Sequence, residues 1–233
     1  YESLVSFYSD TRSLDFTTGA SRTVPASLTD AVGRLMTANE VANCFSCHST
    51  GAVVSGSQLR LNNFTHGVRC EGCHGPGGRH IAAVKAGDLP SRSIYNPGLL
   101  GGDELTQHFC GSCHRSTDEF SLLKSMEINN VRFQPYRIFN SKCYSDEREI
   151  SCIACHDPHE PLREDAAYYD KKCLACHSLK TKTAARTGDG TSCPVADKDC
   201  ISCHMPRVEI KAAHFKFTDH YIRIVKPGEK FPN

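Results

Sequence analysis

The sequence predicts a mainly α fold with extensive loops, a few short strands and little conventional core. Three observations lead there. Only 39% of the 233 residues are hydrophobic and Trp is absent, so side chains suited to a packed interior are few. The segments with helical character are short, and each runs into a pair of cysteines. Between them lie Gly- and Pro-rich turns such as GPGG at 75–78 and NPGLLGG at 96–102, which interrupt any long element.

The first helical segment is TANEVANCFSCHS. Thr37 with Glu40 three residues later reads as a capping box, in which each side chain bonds the other's backbone N–H, and it predicts a short helix delivering Cys44 and Cys47. DELTQHFCGSCH and DAAYYDKKCLACHS, the latter up to His177, are compatible with helices that end on the same motif. Residues 53–61 (VVSGSQLRL) and 221–225 (YIRIV) alternate in polarity and predict short strands.

The motif is C-x-x-C-H, and it occurs six times. The copies are Cys44, Cys47 and His48; Cys70, Cys73 and His74; Cys110, Cys113 and His114; Cys152, Cys155 and His156; Cys173, Cys176 and His177; and Cys200, Cys203 and His204. Twelve of the fourteen cysteines are used, and successive first cysteines lie 26, 40, 42, 21 and 27 residues apart. The irregular spacing marks a repeated attachment device and not a solenoid unit. Zinc ribbons also use C-x-x-C pairs, but they assemble ligands in fours and need no histidine directly after each pair. A thioredoxin-like redox pair would occur once, beside a βαβ pattern that is absent here. C-x-x-C-H is the attachment signal for c-type haem, with both thiols bonded to the porphyrin and the imidazole ligating iron. Six haem c groups are therefore expected, with His48, His74, His114, His156, His177 and His204 as proximal ligands. The architecture becomes a haem-organised multihaem cytochrome c fold. Residues 1–43 form an N-terminal extension and first short helix, 44–225 the hexahaem domain and 226–233 a C-terminal tail. Six macrocycles would supply the apolar surface that the side chains lack, so folding should depend on haem attachment.

Six histidines lie outside the motifs: His66, His80, His108, His159, His214 and His220. Six irons with one protein ligand each need six more to become six-coordinate. The matching count predicts bis-histidine haems without an open site, which favours electron transfer over ligand chemistry. His159 follows the fourth motif in CHDPH; proline stiffens that turn, and the short separation directs His159 to a neighbouring haem, a surface histidine being the plainer alternative. In CHGPGGRH, glycines let the backbone turn close to a porphyrin before His80. His66 precedes the second motif, and His214 and His220 follow the last. His108 lies two residues before Cys110 and has the alternative of packing beside its own haem. Asp219 is a candidate to orient His220 or a neighbour by a hydrogen bond, with an exposed carboxylate as the alternative. Arg69, Arg79 and Arg115 flank motifs and are candidates to pair propionates, with solvent-facing salt bridges as the alternative. Arg132 and Arg137, bracketing FQPY, have no assigned role.

Lys and Arg total 27 against 26 Asp and Glu, which offers no basic field for nucleic acid. At about one net negative charge per oxidised bis-imidazole haem, six would take the holoprotein to about −5. No transmembrane segment is expected, since no apolar run approaches the length of a membrane span. YESLVSFYSD lacks the basic start and apolar run of a signal peptide, so the chain reads as a mature or trimmed form of an exported protein. Covalent haem attachment implies an oxidising compartment, where Cys143 and Cys193 are candidates for a disulfide. It would close a loop of 50 residues, worth roughly 4 kcal/mol in the chain-entropy picture. Two buried free thiols or a thiolate on iron are the alternatives.

CEGCHGPGGRH, FCGSCHR, FNSKCY, ISCIACHDPHEPL, and KDCISCHMP followed by HFKFTDH resemble the multihaem c-type cytochromes related to the tetrahaem cytochromes of nitrification, over roughly residues 40–225. The resemblance implies a loop-rich, mostly helical fold organised by stacked haem pairs. It also implies a periplasmic or extracellular location, and electron transport with redox partner proteins or extracellular electron acceptors. The same group includes hydroxylamine-oxidising and nitrite-reducing enzymes with one open haem. Here all six proximal positions are His, with no C-x-x-C-K variant, which counts against an oxidoreductase acting on a small nitrogen or sulfur compound at a five-coordinate haem. A second resemblance, to subunits of extracellular cytochrome filaments, implies assembly as a homopolymer. His214 and His220, near the chain end, would suit donation of a ligand to the next subunit.

Overall fold

Short helices, loops and two-stranded sheets make up the regular structure, as the scarcity of amphipathic sequence requires. The computed structural model describes residues 1–51, 54–55, 58–60, 62, 65–88, 93–123, 127–145, 150–177, 193 and 195–232. Its contacts divide the chain into two units, Tyr1–Leu99 with Lys211–Phe215, and Leu100–Ile210 with Lys216–Asn233.

The first unit opens with an antiparallel hairpin, Val5–Tyr8 against Ser13–Phe16, in which Val5 faces Phe16 and Tyr8 faces Ser13. Glu2–Ser3 pairs with Gly33–Arg34. Gly33 has φ of +139°, and a Cβ there would stand 2.0 Å from the Glu2 carbonyl oxygen, so only glycine closes this pairing. Arg34 then joins Glu2 at 2.8 Å and also pairs with Glu40. The expected capping box is present. Glu40 N–H donates to Thr37 Oγ1 at 3.3 Å, Thr37 N–H donates to Glu40 Oε2 at 2.8 Å, and the helix Ala38–His48 follows. His214 belongs to this unit, its Nε2 lying 2.7 Å from Asp15 Oδ2 and its ring 4.6 Å from that of Tyr8. Among the described residues no large apolar side chain of this unit is buried.

The second unit holds the only buried large apolar residues of the described chain, Leu105, Val131, Phe133, Tyr136 and Ile210. The helix Gln134–Phe139 lies at their centre, with Tyr136 stacked on Phe120 at 3.7 Å between ring centroids. Gln107 ties this helix to two neighbours: its Nε2 donates to Pro135 O at 2.9 Å, and its Oε1 accepts from Thr117 N at 3.0 Å. One residue along the helix, the Arg137 side chain is 1% exposed and meets Asp219, 0% exposed, in a two-pronged ion pair of 2.8 and 2.9 Å. Asn130 Oδ1 and the Pro232 carbonyl accept further Arg137 donors, and the Phe231 ring lies 4.5 Å from the guanidinium. Burial opposes ionisation of Asp219, but bonds from Arg137, the Tyr221 N–H and Arg223 outweigh it and hold the carboxyl below its ordinary value.

Two strand expectations change. Within residues 53–61, Val54–Ser55 and Gln58–Leu59 pair as a small hairpin instead of one strand, and residues 53, 56, 57 and 61 lie outside the described residues. Residues 221–225 are irregular although they alternate. Their backbone groups are spent elsewhere: Tyr221 N–H on Asp219, Ile222 N–H on Ser141 Oγ, Arg223 N–H on the His204 carbonyl. No donor is left for a ladder at those positions.

Removing one partner of the buried pair leaves an uncompensated charge. Asp219→Ala is expected to cost about 3–5 kcal/mol in urea denaturation, whereas the double replacement Arg137→Met with Asp219→Leu costs much less. Equal losses in both variants would contradict this account of the pair.

Candidate haem-binding sites

A C-x-x-C-H sequence places its three functional residues at i, i+3 and i+4, which share one face of a helix. All six copies fold this way. His48, His74, His114, His177 and His204 are each the last residue of a helix, and His156 is the residue that caps Cys152–Cys155. None of the twelve motif cysteines is held in a disulfide, so the motif thiols are not consumed by one another. Within the motifs the two sulfurs differ in exposure. In motifs one and two the first cysteine, Cys44 or Cys70, is exposed and the second, Cys47 or Cys73, is half-buried. In motifs three, five and six the order reverses: Cys110, Cys173 and Cys200 are half-buried, whereas Cys113, Cys176 and Cys203 are exposed. Cys152 and Cys155 of motif four are both half-buried. Every motif thus keeps its sulfurs at or near the surface of the polypeptide, where a porphyrin can lie against them. Of the two cysteines outside the motifs, Cys143 is half-buried and Cys193 exposed.

The third motif is entered through a π-helical turn, Glu104–Cys110, that continues into Gly111–His114. Such turns concentrate at functional sites because they re-aim side chains within a helix. In the first unit, the connection from motif one to motif two is a tight pairing of Ser49–Thr50 with Thr65–His66. His66 stands opposite Ser49, the residue after His48. Thr50, which is buried, donates to Gly67 O at 3.0 Å and accepts from Arg69 N at 2.8 Å, fixing the start of helix Cys70–His74.

Iron ligation through Nε2 requires the proton to sit on Nδ1, and an acceptor beside Nδ1 selects that tautomer. His74 Nδ1 donates to Tyr95 O at 2.8 Å, and His204 Nδ1 donates to Arg223 O at 2.9 Å. His220 Nδ1 donates to Thr218 O at 3.0 Å, and His80 Nδ1 lies 3.2 Å from Ser93 Oγ. In His204 and His220 the carbonyl acceptor leaves Nε2 as the nitrogen suited to a metal. His214 differs, since its Nε2 faces Asp15. His159 sits on the turn after motif four, its side chain 74% exposed and 3.5 Å from Asp157. His108 is exposed on the π-helical turn.

His156 and His220 face each other with ring centroids 6.1 Å apart. Two imidazoles on opposite sides of one metal, each bonded at about 2.0 Å, have centroids about 6.3 Å apart. The observed separation is close to that value, with the ring planes inclined at 38°. Burial pushes the His156 pKa down and takes that of His220 to about 4, against the opposing pull of the Thr218 carbonyl. Both rings are neutral near pH 7, the form that ligates iron.

Further observations fit a haem. Arg132 Nε and Asn130 Nδ2 are buried donors without an acceptor among the described residues, suited to an acidic group such as a propionate. Large apolar side chains near the motifs, including Val68, Ile81, Tyr95 and Ile153, are exposed, and a porphyrin face would cover such surface. Motif thiols are perturbed by their surroundings. The Cys152 thiol is drawn down to about 7, first by Cys110, with Thr106 adding to it and burial opposing it. Burial pushes the Cys173 and Cys200 thiols up.

Repeated helical turns that present two thiols and an imidazole are the features of multihaem c-type cytochromes and fit the binding of haem c. Residues 10–75, which carry the first two motifs, match the family described as cytochrome c554 and c-prime. The chain is 25% identical to the multiheme cytochrome MtrA of Shewanella baltica over 60% of its own length and 36% of that protein. It is 27% identical to the high-molecular-weight cytochrome c of Nitratidesulfovibrio vulgaris, over 73% of this chain and 26% of the relative. It is 23% identical to the C-type polyheme cytochrome OmcC of Geobacter sulfurreducens, over 68% and 28%. The chain thus spans between 26% and 36% of the length of these relatives. No solved structure matches it. Among the described residues no helix is long and apolar enough to cross a membrane.

Several supporting residues escaped the sequence. Thr50, Asp170 and Arg137 act through partners 19, 29 and 82 positions away, and no short motif announces them. Arg115, considered for a propionate, pairs with Glu119 one turn along its own chain.

Thr50→Val keeps the shape but removes the acceptor for Arg69 N–H. It is expected to lower the stability of the haem-loaded protein by about 1–3 kcal/mol, read by urea denaturation, without changing the haem content.

Proposed function

We propose that this chain is a hexahaem electron-transfer cytochrome, in which six haem c groups pass single electrons between closely spaced, low-spin, bis-histidine irons. The thioether bonds would form on Cys44 and Cys47, Cys70 and Cys73, Cys110 and Cys113, Cys152 and Cys155, Cys173 and Cys176, and Cys200 and Cys203. The observation that carries the reading is the His156–His220 pair, whose spacing, burial and Nδ1 bonding suit the two axial positions of the haem on Cys152 and Cys155. The haem supplies the one-electron chemistry, while the chain supplies ligands, position and a dry surrounding. His66, His80, His108, His159 and His214 are the remaining candidates for distal ligation. The helix of motif five reaches the start of motif six through Asp170, whose carboxylate accepts from Asp199 N and Cys200 N, which supports adjacent haems at those two motifs.

The chemistry of covalent attachment supports a periplasmic or extracellular location, with redox proteins or extracellular acceptors as partners. Donation of His220 to a second subunit in a filament would remove it from His156 of its own chain, so the observed pair favours a self-contained unit. A filled axial pair likewise favours electron transfer over an oxidoreductase with an open haem.

His220→Ala tests the reading. The variant is expected to keep six haems by mass spectrometry and to convert one low-spin haem per chain to high-spin in its electron paramagnetic resonance spectrum. An all-low-spin spectrum at full haem content would overturn the assignment of His220.

A further inference from the structure

Asp170 is buried, 7% exposed, on the helix Ala166–His177, three residues before Cys173. Its side chain does nothing for its own helix. Oδ2 accepts from Asp199 N at 2.7 Å and Oδ1 accepts from Cys200 N at 2.9 Å. Asp199 is held at φ of +61°, a left-handed conformation that costs free energy for a residue with a Cβ and persists where surroundings impose it. The carboxylate therefore grips the backbone where the sixth motif begins, from a position one turn ahead of the fifth. Cys200, whose N–H the carboxylate takes, and Cys173, one turn along from Asp170, are the first attachment points of two different haems.

We propose that Asp170 is a positioning residue that sets the distance and relative orientation of two haems, the one on Cys173 and Cys176 and the one on Cys200 and Cys203, making them a coupled pair. This rests on the reading that both motifs carry haem. The chemistry favours Asp over its near relatives. Only a carboxylate offers two acceptor oxygens in a fixed fork; asparagine offers one acceptor and a repelling NH₂, and glutamate reaches one methylene too far. An ordinary cap would serve one helix, whereas this one is reached from the helix of a neighbouring site and locks two attachment points together.

The test uses the haem-loaded protein as wild type, Asp170→Asn and Asp170→Glu. Haem content is read by mass spectrometry, magnetic interaction by electron paramagnetic resonance of the oxidised protein, and potentials by a spectroscopically followed redox titration. In the wild type, two haems are expected to give interaction-broadened signals. Both variants are expected to keep six haems and to resolve that pair into ordinary isolated low-spin signals. The potentials of the two haems should rise in Asp170→Asn, which loses a nearby negative charge, but less in Asp170→Glu, which keeps it. Full haem content with unchanged coupling in both variants would overturn the proposal. A wild-type protein lacking haem at either motif would instead defeat the underlying reading, and the haem count separates the two failures. Should Asp170→Asn lose haem from the sixth motif while Asp170→Glu retains it with weakened coupling, the positioning role stands.

Discussion

The buried pair of Arg137 and Asp219 is the constraint on which the second unit depends. Taking both charges out of water is expensive, and the pair is tolerable only because every donor and acceptor is answered. Arg137 reaches Asp219, Asn130 and the Pro232 carbonyl, and Asp219 also takes Arg223 and the Tyr221 N–H. An apolar pair could serve stability as well, so the specific return is register. The segment from Asp219 onward is fixed on the helix Gln134–Phe139, and with it come two groups that matter for haem. His220 is set opposite His156, and the Arg223 carbonyl is set against His204 Nδ1. One ion pair thus brings groups to the imidazoles of two motifs, His220 to His156 and the Arg223 carbonyl to His204.

Around this anchor the chain spends little on conventional packing. Five large apolar residues are buried among those described, all in the second unit, and the first unit relies on hydrogen bonds such as those of Thr50 and the capping box of Thr37 and Glu40. Such an interior is too small for independent stability at this length. Covalently attached porphyrins would resolve the deficit, since each motif turn would bring two bonds and a large apolar surface to the same place. Cofactor and fold would then be one system.

What could be read from the sequence was what is local. The i, i+3, i+4 spacing of C-x-x-C-H, the capping box at Thr37 and the helix ending at His177 are all contained within one or three turns, and each appears as expected. Misreadings arose where distant partners decide. YIRIV alternates like a strand, but Ser141, Asp219 and His204 claim its amides first. Asp219 was read as an orienter of His220; its oxygens serve Arg137, Arg223 and Tyr221, while the Thr218 carbonyl orients the ring. Arg137 had no reading because its partner lies 82 residues on. The repeat also hides a difference that only the fold creates, since Cys73 is half-buried at the position where Cys113, Cys176 and Cys203 are exposed. The histidine count predicted a ligand set, but the facing of His156 and His220 is a property of three dimensions alone.

The central claim is that the chain binds six haems whose irons lack an open site. A reductive titration of the oxidised protein, with a pyridine haemochrome count and electron paramagnetic resonance on the same sample, tests it most directly. The account predicts six haems, six electrons taken up per chain and low-spin signals only. Fewer than six haems, or a stoichiometric high-spin signal in the unmodified protein, would contradict it.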